Sequence, residues 1–111
     1  MRLKTLGTSS RPAFLLLTLA SVFLGYAVAA PAVDGVETGR LLLVLAGALA
    51  AHASVNQLNE YFDFRSGLDL QTQRTPFSGG SGALPADPGG AAAVLVSGLV
   101  TLAVCIGIGL Y

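Results

Sequence analysis

Three stretches without a charged residue, each long enough to cross a bilayer, limit what this chain can fold into more than any other feature. Pro12 to Val33, Leu41 to Asn59 and Pro88 to Tyr111 run for 22, 19 and 24 residues. About 20 predominantly apolar residues carry a helix across the hydrocarbon core, so each block is long enough. The composition agrees, with 53% hydrophobic and 11% charged residues and a mean hydropathy of +0.71. Soluble domains carry roughly a quarter charged residues; a soluble fold of this length would lack the polar surface to cover itself. The expected fold is an all-α integral membrane bundle of three transmembrane helices, over about 12–32, 40–63 and 89–111, with a long loop over 64–88. A soluble helical binding module is excluded.

The formal net charge is zero, so the total says nothing about nucleic-acid or acidic partners (no nucleic acid is expected for a membrane bundle), but its distribution is informative. Arg2, Lys4 and Arg11 precede the first span, Asp34, Glu37 and Arg40 fall in the first link, and Arg65 and Arg74 in the second. The positive-inside rule then places the N-terminus and the 64–88 loop in the cytoplasm. Arg2 and Lys4 with Ala30-Pro31-Ala32 resemble a signal peptide and its cleavage site. The apolar run from Ala13 exceeds the 7–15 residues of a usual signal core, however, and two more spans follow. The segment is read as a span. Cys105, inside the third block, has no internal disulfide partner and reads as a small packing residue.

Met1 to Ser10 reads as a short polar leader, with Ser9 or Ser10 capping the first helix and Pro12 in its opening turn. Ala46, Gly47, Ala48, Ala50, Ala51, Ala53 and Ser54 make the second helix rich in small side chains, which let helix backbones approach closely in lipid. Past Phe64 the chain turns rich in glycine and proline. Loops this long are functional or disordered more often than not. Asp87-Pro88 reads as an N-cap followed by proline at the first helical position.

Three of the six acids stand on or just past the second helix, in Asn56-Gln57-Leu58-Asn59-Glu60-Tyr61-Phe62-Asp63, with Asp69 following. At 3.6 residues per turn His52, Asn56, Asn59, Glu60 and Asp63 share an arc of about 100°. Such a stripe on a membrane helix faces a protein interior or a wet cavity. Asn59 and Asp63 lie one turn apart, and Asp69 folding back from the loop would add a third oxygen donor. Mg²⁺ favours such donors and is held by one or two carboxylates plus substrate phosphates. Two readings stand: a divalent-cation site for a phosphorylated substrate, or the solvated end of a helix. Arg74-Thr75-Pro76-Phe77-Ser78-Gly79-Gly80-Ser81-Gly82 sets a cation before a glycine-rich turn whose N–H groups can approach phosphate oxygens. An ordinary flexible loop is the other reading. His52 is expected as a hydrogen-bonding interior residue, and Tyr26 and Phe23 as packing residues. Arg11 anchors the first helix and is a candidate to reach a diphosphate.

Asn59-Glu60-Tyr61-Phe62-Asp63 with Asp69, then Arg74 to Gly80, resembles the first aspartate-rich motif and following loop of the UbiA family of intramembrane prenyltransferases. Arg11-Pro12 is also similar to that family. The Tyr61-Phe62-Asp63-Phe64 form and the Ser78-Gly79-Gly80-Ser81-Gly82 loop resemble its 1,4-dihydroxy-2-naphthoate polyprenyltransferase branch, which acts in menaquinone synthesis. The resemblance implies a bundle of about nine helices, of which these residues are the first third. It also implies Mg²⁺-dependent transfer of a prenyl group from an isoprenyl diphosphate to an aromatic acceptor in a bacterial or archaeal plasma membrane. Asn59, Glu60, Asp63 and Asp69 are then the metal-side residues, and Asn56, Arg74, Ser78 and Arg11 the substrate-binding ones. No residue is assigned as catalytic. Glu60 stands where the family usually has aspartate, and Asp69 lies further along than its last acid. The family's second acidic motif has no counterpart here, and the stop at Tyr111 directly after the third span fits a fragment inactive alone. The competing expectation is a small three-helix membrane subunit with a structural or cation-handling role.

Overall fold

The structure, a computed structural model, describes residues 2–76 and 78–111. It is all-helical, with no strand among the described residues. A short helix α1 (Arg2–Ser9) precedes α2 (Pro12–Ala29), which ends in a 3₁₀ turn over Ala30–Ala32. Then come α3 (Thr38–Arg65), two one-turn helices α4 (Leu68–Gln71) and α5 (Ala83–Ala86), a 3₁₀ turn over Pro88–Gly90, and α6 (Ala91–Leu110). Three segments are long and apolar enough to cross a membrane: Pro12–Ala32, Thr38–Arg65 and Pro88–Leu110. The protein is of integral membrane character, as its composition requires.

α3 is the central element, lying along α6 and more lightly on α2. Its 28 residues would reach about 42 Å at 1.5 Å per residue, against a hydrocarbon core of about 30 Å. The uncharged part ends at Asn59, so the turns carrying Glu60 to Arg65 project beyond the apolar layer. Small residues set the α3–α6 contact. A Cβ on Gly98 would stand 3.0 Å from Leu58 Cδ2, and one on Gly47 3.2 Å from Ile108 Cγ2. Between them the Ser54 hydroxyl donates to the Gly98 carbonyl at 2.8 Å. The His52 ring shares a 2.6 Å hydrogen bond with Thr18 on α2, in keeping with the interior role expected of it.

Burial runs opposite to that of a soluble domain. Ala83, Leu84 and Val94 are the fully buried apolar residues described, while Thr5, Ser9, Ser54, Asn56, Gln57 and Glu60 are buried too. Lipid covers apolar side chains at no cost, so the protein interior goes to groups that need hydrogen-bond partners.

Within the polar leader Arg2–Ser9 form a helix, which tertiary partners hold, and two capping expectations are corrected. Thr5 donates to the Asp87 carboxylate at 2.6 Å, and Asn56 and Gln57 donate to the Ser10 and Leu6 carbonyls at 2.8 and 3.3 Å. Neither Ser9 nor Ser10 caps α2. Their hydroxyls turn back to the Leu6 and Gly7 carbonyls, closing α1. Arg11 takes the N-cap position of α2 without a side-chain bond, and Pro12 at the next position has no N–H to satisfy. Asp87 likewise occupies an N-cap position but makes no side-chain cap, its carboxylate being turned to Thr5.

Candidate functional site

The acidic end of α3 meets the loop and the α1–α2 junction. Glu60 is buried at 2% exposure, and its Oε1 accepts the Ser81 N–H. Its Oε2 is buried with no hydrogen-bond partner, as are Asp69 Oδ2 and Gln57 Oε1. Asp69, on α4, is carried back against the loop at Gly80. A Cβ at Gly80 would stand 3.0 Å from both Asp69 carboxylate oxygens, and its φ of +77° suits glycine. Burial pushes the Asp69 carboxyl above the ordinary aspartate range, and Glu60 and Asp63 add to the rise; Arg11 and Arg74 oppose it. Glu60, Asp63, Arg11 and Arg74 are thus within electrostatic reach of Asp69.

The arginines line a cleft of about 420 Å³ between the α1–α2 junction and the loop. Thr8, Arg11, Pro12 and Phe14 form one side, and Arg74, Thr75, Gly80 and Ser81 the other. Arg11 sits at φ +54°, ψ +67°, a left-handed conformation uncommon outside glycine and enriched where function fixes the backbone. Its guanidinium lies 4.3 Å from the Phe14 ring centroid, a cation–π contact that holds the charge at the cleft mouth. No carboxylate lines this cleft. Glu60 and Asp69 meet it through the Ser81 and Gly80 backbone.

The residues singled out from sequence divide clearly. Glu60, Asp63, Arg11 and Arg74 all act electrostatically on Asp69. Asn59 is exposed, since the covered side of α3 is the one bearing Ser54, Gln57 and Glu60. Asn56 is buried, and its amide nitrogen serves Ser10. Ser78 is exposed and shares a 2.8 Å hydrogen bond with the Thr75 hydroxyl inside a tight turn. Phe77, between them, lies outside the described residues. Among the described residues no three of histidine, cysteine, aspartate and glutamate converge as they would to hold a metal ion. Ser81, Thr8 and Gln57 were missed from sequence. Ser81 stood in the glycine-rich loop beside Ser78, and only the docking of that loop on Glu60 separates the two.

Mg²⁺, the ion the sequence suggests, can be tested against these residues. Two buried carboxylate oxygens without partners, on Glu60 and Asp69, are the hard donors such an ion takes, and one or two carboxylates suffice when phosphates and water complete the shell. The donor set fits. Set against protein-family models, curated proteins and solved structures, the chain shows no match.

Proposed function

We propose that the polar end of this bundle binds an isoprenyl diphosphate with Mg²⁺, as the substrate site of prenyl transfer to an aromatic acceptor of the kind used for quinones. The observation that carries this reading is the pair of unpartnered buried oxygens, Glu60 Oε2 and Asp69 Oδ2, with Arg11 and Arg74 acting on Asp69. Buried carboxylates left open are costly, and a cation offsets that cost. Glu60 and Asp69 would hold Mg²⁺ through their open oxygens, with Asp63 adding negative charge within reach of Asp69. When bound, the ion supplies charge neutralisation to the diphosphate.

The remaining work falls to the chain's own residues. In prenyl transfer the allylic C–O bond breaks and its electron pair leaves on the diphosphate, while a C–C bond forms to the aromatic acceptor, whose ring carbon then loses its proton. Arg11 and Arg74, both lining the cleft, stabilise that growing negative charge. Pro12, Ala13 and Phe14 carry the cleft onto α2, whose span has no residue buried within the protein, so a prenyl chain would follow that helix in contact with lipid. By the positive-inside rule this end faces the cytoplasm, and the resemblance implies a bacterial or archaeal plasma membrane.

Titration of geranyl diphosphate into the protein in nanodiscs, with Mg²⁺ and then with EDTA, tests the reading. Binding is expected only with Mg²⁺, and Asp69→Ala should weaken it about tenfold, the scale of a lost charge-assisted contact. Equal binding in EDTA, or an Asp69→Ala variant as tight as the parent, would sink the proposal. The second reading, a three-helix membrane subunit, draws on Asn56 and Gln57, which spend their amides on fastening α1. A stable oligomer in detergent with no diphosphate affinity would favour it.

A further inference from the structure

A second cleft of about 290 Å³ adjoins the first, lined by Lys4, Thr5 and Asp87 together with Arg74, Ser81 and Gly82. Thr8, Arg74 and Ser81 line both clefts, so Arg74 stands between them. Gly82 allows this placement, because a Cβ there would fall on Arg74 Nη1. Among the described residues the ion pair present is Arg40–Glu37, in the first link; Lys4 and Arg74 are paired to no acid. The acid of the second cleft, Asp87, already accepts the Thr5 hydroxyl at 2.6 Å. Two adjoining polar clefts, one with Arg11, one with Lys4 and sharing Arg74, match a ligand with two linked anionic centres.

We propose that Lys4 on α1 is an anion-binding residue, and that the Lys4–Arg74 cleft takes the terminal phosphate of a diphosphate whose inner phosphate lies between Arg11 and Arg74. This rests on the diphosphate reading above and deepens it. It gives α1 a function: the hydrogen bonds from Thr5, Asn56 and Gln57 that fix the helix also fix the lysine. Selectivity for diphosphate over monophosphate follows, since only the diphosphate reaches the second cleft.

Lys4 is exposed, so Lys4→Gln leaves folding intact, and Lys4→Arg keeps the charge. Geranyl diphosphate and geranyl monophosphate would be titrated, with Mg²⁺, into the parent and both variants in phosphatidylcholine nanodiscs, then in discs with added phosphatidylglycerol. Lys4→Gln is expected to weaken diphosphate binding about tenfold, the scale of one charge-assisted hydrogen bond, to leave monophosphate binding unchanged, and Lys4→Arg to restore the parent value. No loss, or an equal loss for both ligands, overturns the assignment. A Lys4 effect seen only with phosphatidylglycerol also overturns it and makes the cleft a lipid-headgroup site. If the parent binds no geranyl diphosphate, the underlying reading fails and takes this one with it; if the parent binds and Lys4→Gln binds equally, only this one fails.

Discussion

Asp69 carries the clearest consequence at the scale of a single residue. Its carboxyl titrates above the ordinary aspartate range because burial, Glu60 and Asp63 all disfavour the charge. With the folded value raised, the stability linked to this group is fully present below the unfolded pKa and is lost as pH rises through the folded one. Ionised Asp69 therefore destabilises the protein at neutral pH. Asp69→Asn should melt higher than the parent at pH 7, and the gap should close on acidification to about pH 4, near the ordinary aspartate value. If the proposed site is right, saturating Mg²⁺ should raise the parent's melting temperature and leave Asp69→Asn nearly unmoved, because an ion bound only to the folded state stabilises it by mass action. A variant no more stable than the parent at pH 7 would contradict this account. The acids themselves were visible in the sequence as charges beside an apolar run. That Asp69 folds back to Gly80 depends on the path of the loop, which no local pattern encodes.

At the scale of elements, the α3–α6 seam holds the bundle together. No hydrophobic drive acts between helices in lipid, so close backbone approach at Gly98 and Gly47 and the Ser54 bond to the Gly98 carbonyl take its place. Gly98→Leu forces Leu58 and Gln57 aside and should cost about 1–3 kcal/mol, the range for overpacking. Unfolding in detergent on titration with sodium dodecyl sulfate measures it, and a loss near zero would show that α6 does not dock there. The small-residue run of α3 announced such a neighbour without saying which. α1 was read as a leader because its eight residues are mostly polar and too few to hold a helix alone. Partners more than 40 residues away, Asn56, Gln57 and Asp87, supply what the local sequence lacks.

For the whole molecule, three spans put the two charged ends on opposite sides of the membrane. Asp34 and Glu37 lie between the first two spans, and Ser66 and Arg74 between the last two. In a Cys105→Ala background, cysteines placed at Asp34 and at Ser66 should label from opposite faces with a membrane-impermeant maleimide. Labelling from one face alone would contradict the three-span arrangement. The same experiment on oriented vesicles checks the cytoplasmic placement of the proposed diphosphate site.

The sequence by itself determined the solvent, the number of spans and their bounds to within a few residues, because hydropathy and length are properties of contiguous residues. It also marked the end of α3 as the polar region on which the proposed site rests. Tertiary structure decided which acids share a field, that Ser81 rather than Ser78 reaches Glu60, that Asn59 faces away, and that Lys4 joins the loop. Those outcomes turn on how α3 is rotated against α6 and where a glycine-rich loop comes to rest, and contacts between residues far apart in the chain fix both.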